Sequence, residues 1–435
     1  KIIMHSSRDA LSRIPRTSSA FSFLKLQSSG EKGISMGTEL KTRDGATFGV
    51  YAVILAVYFV IPDMGYISPS LSAIGERYGV DAGTASYLST IVSLTQIVSA
   101  LVCGIIAGKY VSRKVLLSIA VTGMAVFGVL PVFFSPETVP FEILMADRAV
   151  FGLFLGFLQP VIFAFVANVF RDEDRRATAY GIGNVSFNVG AVFASSVGGI
   201  CVGIGWNTAF WLYLIGLVVL VFVLVFYKEP LSEIPQEEKA EKTKITPLAW
   251  FYMSVIFIAM VFDYPFFTVF ISALIDHGIT NGVVGGQLLS LFTLVGIFVS
   301  AGFGFLFKHL RFKVLPLACL MCALGMLLIF VGIGFLESLP LVIIAVVILA
   351  AGHMAITVGA PHHVSISCTQ AVASAALAYT AVAMNLGGFV SSPYVQAVAS
   401  FSGTGDYELV FLVSAIAMAV FAFIVNAVAR KKRSE

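Results

Sequence analysis

Val57-Tyr-Phe-Val-Ile-Pro-Asp63-Met-Gly-Tyr-Ile-Ser-Pro-Ser-Leu-Ser72-Ala73-Ile74 has a counterpart 200 residues on. The second copy is Phe257-Ile-Ala-Met-Val-Phe-Asp263-Tyr-Pro-Phe-Phe-Thr-Val-Phe-Ile-Ser272-Ala273-Leu274. The offset (263 − 63 = 200) aligns Asp63 with Asp263, Ser72 with Ser272 and Ala73 with Ala273. It persists into the next apolar stretch, where Leu94, Ile97 and Gly104 meet Leu294, Ile297 and Gly304. Two homologous halves are therefore expected, each opening with an apolar segment that carries one carboxyl group with a proline beside it or one residue away (Pro62 and Asp63; Asp263 and Pro265).

The chain has 435 residues, of which 58% are hydrophobic and 12% charged. Soluble domains carry about 25% charged residues. The apolar residues here fall in runs of about 20, long enough to cross a bilayer as helices. Lipid leaves backbone groups no partners, and the alternation of a membrane barrel is absent, so the fold class is an all-α membrane protein. About twelve spans are expected: 48–75, 84–108, 115–134, 141–170, 177–203, 207–227, 248–276, 283–307, 313–335, 341–366, 371–400 and 408–429.

The domain plan follows from these spans. Residues 1–47 read as a cytoplasmic, disordered tail, 48–227 as one six-helix bundle, 228–247 as a charged linker, 248–429 as the second bundle and 430–435 as a short tail. Lys and Arg mark one side of the membrane: Lys109, Arg113 and Lys114; Arg171, Arg175 and Arg176; Lys228 to Lys244; Lys308, Arg311 and Lys313; Arg430 to Arg433. The opposite loops hold Glu76, Asp81, Glu137, Asp276, Glu337 and Asp406, with Arg77 among them. The excess of cations places both termini and the linker in the cytoplasm. A bacterial-type inner or plasma membrane and a monomer are expected.

Two six-span halves joined by a charged loop resemble the major facilitator superfamily. Gly104-Ile-Ile-Ala-Gly108-Lys109-Tyr-Val-Ser-Arg113-Lys114 is similar to its loop signature G-x-L-A-D-R-x-G-R-R/K. It departs at Gly108, which stands for the acid, at Val111 for the second glycine, and by one inserted residue. Arg148-Ala-Val-Phe-Gly152 resembles R-x-x-Q-G, and Gly190-x3-Ala194-Ser195-x2-Gly198-Gly199 resembles an element of the drug–proton antiporters, with Ala194 and Ser195 replacing Gly and Pro. Trp206 to Phe210 is similar to W-R-x-x-F, and the first span to D-x-T-x-V-N-V-A-L-P, keeping Asp63 and Leu71. The resemblance covers residues 40–430. It implies alternating access between two rocking halves, with Gly104, Lys109, Arg113 and Lys114 as the gating motif.

Charged groups inside a membrane cost about 2.5–3.5 kcal/mol each on insertion scales, so they face a cavity or a partner. Asp63 and Arg148 lie at similar depths and are expected to interact. A carboxylate that gains or loses such a partner changes its proton affinity, which would tie protonation to conformation. Asp263 has no evident partner of opposite charge in its half. His353, midway along its span, is a candidate proton site or a packed structural residue. Substrate-cavity candidates are Gln96, Gln159, Asn184, Asn188, Asn385, Tyr264 and Phe266. Asn184 and Asn188 share one helix face, and Asn188-Val-Gly190 is echoed by Asn385-Leu-Gly387. Most of the 38 phenylalanines are expected to face lipid. Cys319-x-x-Cys322 reads as structural, and His362-His363 makes no metal site because adjacent residues leave a helix on different faces.

Sequence reading thus gives a secondary transporter of a small solute, proton-coupled, with export of a neutral or cationic amphipathic compound favoured. An uncoupled facilitator, an organic-anion uptake or exchange carrier, and a transporter-like receptor are the rivals. No nucleophile–base pair, metal cluster or phosphate-binding loop is visible, so neither an enzyme, a cofactor, ATP drive nor a nucleic-acid partner is expected. The partners expected are the solute, protons and the lipid bilayer.

Overall fold

In the computed structural model, the first membrane segment is broken into three helices, and the break recurs near the 200-residue offset. The structure describes residues 48–62, 64–67, 70–80, 82–228, 244–280, 282–402 and 407–434. The tail 1–47, most of the 228–247 linker and Asp63 lie outside the described residues. Helix α1 runs Phe48–Val60, α2 Met64–Ile67, α3 Leu71–Tyr78 and α4 Ala82–Ile106. The first half continues with α5 (Arg113–Val129), α6 (Phe141–Leu155), α7 (Leu158–Val169), α8 (Glu173–Val202) and α9 (Ile215–Phe226).

The second half repeats the opening: α10 spans Pro247–Asp263, α11 Pro265–Thr268, α12 Phe270–Asp276 and α13 Gly282–Ala301. Then follow α14 (Phe303–Leu310), α15 (Val314–Gly334), α16 (Leu339–Ser367), α17 (Gln370–Ser402) and α18 (Glu408–Ser434). The described residues contain no named strand and 11 helical stretches long and apolar enough to span, with α1 as a shorter apolar helix. The expected twelve-span plan therefore appears as eleven long stretches plus the broken first segment.

Proline explains where the opening segments break. It has no N–H to donate, so Pro62 falls just after α1 and Pro265 starts α11 at a position where no donor is needed. The ends of α3 and α12 are closed alike. Gly79 and Gly278 take positive φ of 68° and 64°. Val80 N–H donates to the Gly75 carbonyl at 3.0 Å, and Ile279 N–H to the Leu274 carbonyl at 3.0 Å. Only glycine enters that backbone region without steric cost. Helix starts at the basic face are capped by side chains: Ser112, Asp172 and Thr246 accept from the N–H of Val115, Arg175 and Ala249.

A subset of the aromatics packs inside. Phe151, Phe165, Phe210, Phe266, Phe270, Phe292 and Phe303 are among the largest fully buried side chains. With small residues at the helix crossings, ring edges fill the space between helices that neither lipid nor water enters.

Candidate functional site

Asp263 is the last residue of α10, directly before the break at Tyr264-Pro265. It is 1% exposed. His353, on α16, brings its Nδ1 to 3.3 Å from Asp263 Oδ2. The sequence expectation that Asp263 lacks a partner in its half is thereby corrected: the partner sits 90 residues away, brought in by the packing of α10 on α16. The other carboxyl oxygen, Oδ1, has no hydrogen-bond partner among the described residues. The Cys322 thiol on α15 lies on the same carboxyl group.

Rings enclose the pair. The His353 ring lies 5.5 Å from Phe292 and 5.7 Å from Phe267. Phe266 stacks on Phe292 at 4.8 Å, and Tyr264 meets Phe267 at 5.5 Å. Phe266 is buried within this cluster, whereas Phe267 keeps 42% of its surface exposed. An imidazole nitrogen facing a carboxylate oxygen can share one proton between them.

In the first half, Arg148 on α6 is fully buried. Its guanidinium donates to the Phe127 carbonyl at 3.0 Å and to the Tyr213 hydroxyl at 3.5 Å. Its Cζ lies 4.0 Å from the Phe151 ring centre and 5.3 Å from those of Phe210 and Tyr213. Asp147 Oδ2 stands 3.5 Å from its Nε. Asp147, which the sequence reading passed over, is a second buried carboxyl group. Neighbouring residues in a helix point apart, so sequence adjacency gave no reason to pair them; the long arginine side chain folds back. Tyr66 on α2 stacks against Tyr213 at 5.1 Å, which carries the segment after Asp63 into this neighbourhood.

The candidate amides line the seam between halves. Gln159 Nε2 approaches the Met384 sulfur at 3.6 Å. Asn184 Nδ2 donates to Ser300 Oγ at 2.7 Å and approaches the Met354 sulfur at 3.6 Å. Asn188 Nδ2 donates to the Asn184 carbonyl at 2.8 Å. Asn385 turns back to the Ala381 carbonyl of its own helix at 3.1 Å, and Gln96 is half-buried on α4. Thioethers are weak acceptors, so the contacts to Met354 and Met384 are cheap to break. Nothing in the sequence pattern distinguished Met354 and Met384 from core methionines.

The residues of the expected gating motif make their contacts at the basic face. Arg113 Nη2 donates to Ser374 Oγ, at the start of α17, at 2.7 Å. Its guanidinium lies over Gly108, whose φ is 75° and where a Cβ would come within 2.5 Å of Nη2. The glycine standing where the motif has an acid is thus what admits the arginine. In the second half, Arg311 reaches Asp174 at 3.0 Å and Glu173 at 3.5 Å, at the start of α8. Asp174 and Ser374 are 200 residues apart and the two arginines 198 (311 − 113), so the two latches occupy neighbouring rather than identical positions of the repeat. Lys114 donates to the Leu224 carbonyl at 2.8 Å, and Lys109 lies over Tyr110. Among the described residues, no three His, Cys, Asp or Glu side chains group as a metal site.

A duplicated helical bundle with paired charges inside each half and mirrored latches at one face defines the class: a two-half membrane carrier. The sequence model described as "Major Facilitator Superfamily" matches residues 53–392, and the chain belongs to that family. It is similar in structure to the proton:xylose symporter XylE bound to 6-bromo-6-deoxy-D-glucose, with a TM-score of 0.70 and 14% identity over 88% of this chain and 96% of that one. The human organic anion transporter MFSD10 (TETRAN) gives 0.68 at 14% identity, covering 86% and 98%. FucP in the outward conformation gives 0.62 at 14%, covering 86% and 98%. In sequence the chain is 28% identical over 168 residues to the multidrug efflux pump LfrA of Mycolicibacterium smegmatis. That match spans 39% of this chain and about a third (32%) of the pump.

Proposed function

We propose that the protein is a proton-coupled secondary transporter in which the Asp263–His353 pair exchanges a proton for a neutral or cationic amphipathic solute. One observation carries this reading: a carboxyl group and an imidazole 3.3 Å apart, buried at a helix break and ringed by phenylalanines. With its proton the pair is neutral overall; without it, the site holds one net negative charge. Hydrocarbon and rings disfavour that charge, so proton loss is linked to the arrival of water or a cation. Protons and a cationic solute then compete for one site, which is the logic of export against a proton gradient. Arg148 gives no support to an anionic substrate, because Asp147 and a carbonyl already meet its charge.

The contacts at Arg113, Arg311 and the amide seam support a resting form closed at the face we assign to the cytoplasm. We place Asp63, aligned with Asp263, as the corresponding group of the first half, acting with Arg148. The test is transport in proteoliposomes under an imposed pH gradient. Gradient-driven movement is expected in the wild type and is expected to vanish in Asp263→Asn and in Asp63→Asn, while solute exchange without a gradient continues. Normal pumping by Asp263→Asn would overturn the assignment. Solute movement in the wild type that ignores the pH gradient would favour an uncoupled facilitator.

A further inference from the structure

The flank of the first half carries a hollow that none of the described residues fills. It lies between α1, α8 and α9 and has a volume of about 450 Å³. Its walls are apolar: Tyr51, Leu55 and Phe59 from α1 face Ile215, Val218 and Phe222 from α9. Ser186 donates its hydroxyl to the Leu55 carbonyl at 2.7 Å, so that donor is already engaged. Leu55 and Val218 are 40% and 55% exposed, so the hollow opens sideways, in the region the chain presents to lipid.

Protein interiors are close-packed. An unfilled hollow of this size on a bilayer-facing flank forfeits dispersion contacts along its whole lining. Its length identifies the filler. The α1 liners run from Phe48 to Phe59, 11 steps along the helix (59 − 48), which at 1.5 Å rise is about 16 Å. One leaflet of a bilayer whose hydrocarbon core is about 30 Å thick is about 15 Å deep. The hollow is therefore as long as one leaflet's hydrocarbon layer is deep. Its outer end is marked by cations. Phe48 packs on Phe226 at 6.1 Å, and exposed Lys228 follows two residues later. The liner Tyr51 packs on Phe170 at 5.7 Å, and exposed Arg171 comes next. The neighbouring acid, Asp172, turns back to cap α8.

We propose that this hollow is a site for a membrane phospholipid with an anionic headgroup, one acyl chain lying along α1 and the headgroup held by Lys228 and Arg171. The lipid acts as a removable wedge between α1, which leads into Asp63, and α9. The site is independent of the proton-coupling assignment.

The experiment uses the full chain reconstituted in vesicles of phosphatidylglycerol and phosphatidylcholine, each doped in turn with a phospholipid bearing a diazirine on its acyl chain. Cross-links are expected on Leu55, Val218 and Phe222, several-fold stronger from the anionic probe. Ala52→Phe and Ala56→Phe fill the hollow and should remove them. Lys228→Gln combined with Arg171→Gln should equalise the two probes without changing the fold, judged by unchanged thermal unfolding. Absent cross-links at these positions, equal labelling by both headgroups in the wild type, or undiminished labelling of the filled variants would each overturn the proposal.

Discussion

Arg148 and Asp147 show how a buried charge can be tolerated without being free. The guanidinium has an aspartate, a carbonyl, a hydroxyl and three rings around it. Removing one partner of a buried pair costs about 3–5 kcal/mol, whereas replacing both with apolar groups is often neutral. Asp147→Ala should therefore destabilise the protein strongly, and Asp147→Ala with Arg148→Met should regain most of the loss. Thermal unfolding in one detergent, compared across the two single variants and the double, measures this. A double variant no better than the worse single would mean that the pair is not the source of the loss. Residue identity was readable here only in part. Asp263 stood out because a carboxyl in an apolar run demands an explanation, but its partner His353 is set by tertiary packing that no local pattern encodes. Asp147 was hidden by its proximity to a residue already given a role.

The elements were more legible, because the repeat is written in side chains that shape the backbone. The Asn188-Val-Gly190 and Asn385-Leu-Gly387 echo marks equivalent crossings. Gly190 lies against the Phe59 carbonyl of the first opening segment, so a Cβ there would overlap it; at Gly387 a Cβ would come within 2.6 Å of the Phe257 carbonyl. Each glycine brings a long helix onto the segment that leads to an aligned aspartate. Overpacking such a contact costs about 1–3 kcal/mol. Gly190→Ala and Gly387→Ala should each lower the unfolding temperature, whereas Gly286→Ala, with open space around it, should not. Equal effects at all three positions would show that the crossings are not tight. Pro62 and Tyr264-Pro265 announce one break in each opening segment, because proline has no N–H to donate. In the second segment the other cut, which leaves three helices there, has no such mark in the apolar run.

At the scale of the molecule, the two halves meet by reciprocal contacts. A Cβ at Gly104 would lie 3.1 Å from the Ala378 Cβ, and one at Gly304 would overlap Thr178 Oγ1. Residues 178 and 378 are again 200 apart, so each half offers a glycine to the same position of the other. The Arg113–Ser374 and Arg311–Asp174 latches lie at the same face. If the halves rock, these four contacts must open together, since they belong to one surface. Closing a disulfide needs Cβ atoms about 3.5–4.5 Å apart, close to the spacing at Gly104 and Ala378. With the five native cysteines replaced by alanine, Gly104→Cys with Ala378→Cys should cross-link on oxidation, and solute movement should stop and return on reduction. Arg311→Gln should act in the opposite sense, making the Arg113 side of the seam more accessible to a thiol reagent placed at Ser374→Cys. Only the Arg311 latch pairs formal charges, and exposed ion pairs weaken with salt. High ionic strength should therefore raise accessibility in the wild type and add little in Arg311→Gln. Oxidised Gly104→Cys/Ala378→Cys protein that still transports would mean that this face does not have to open, and rigid-body rocking about the seam would then be the wrong description of how the carrier works.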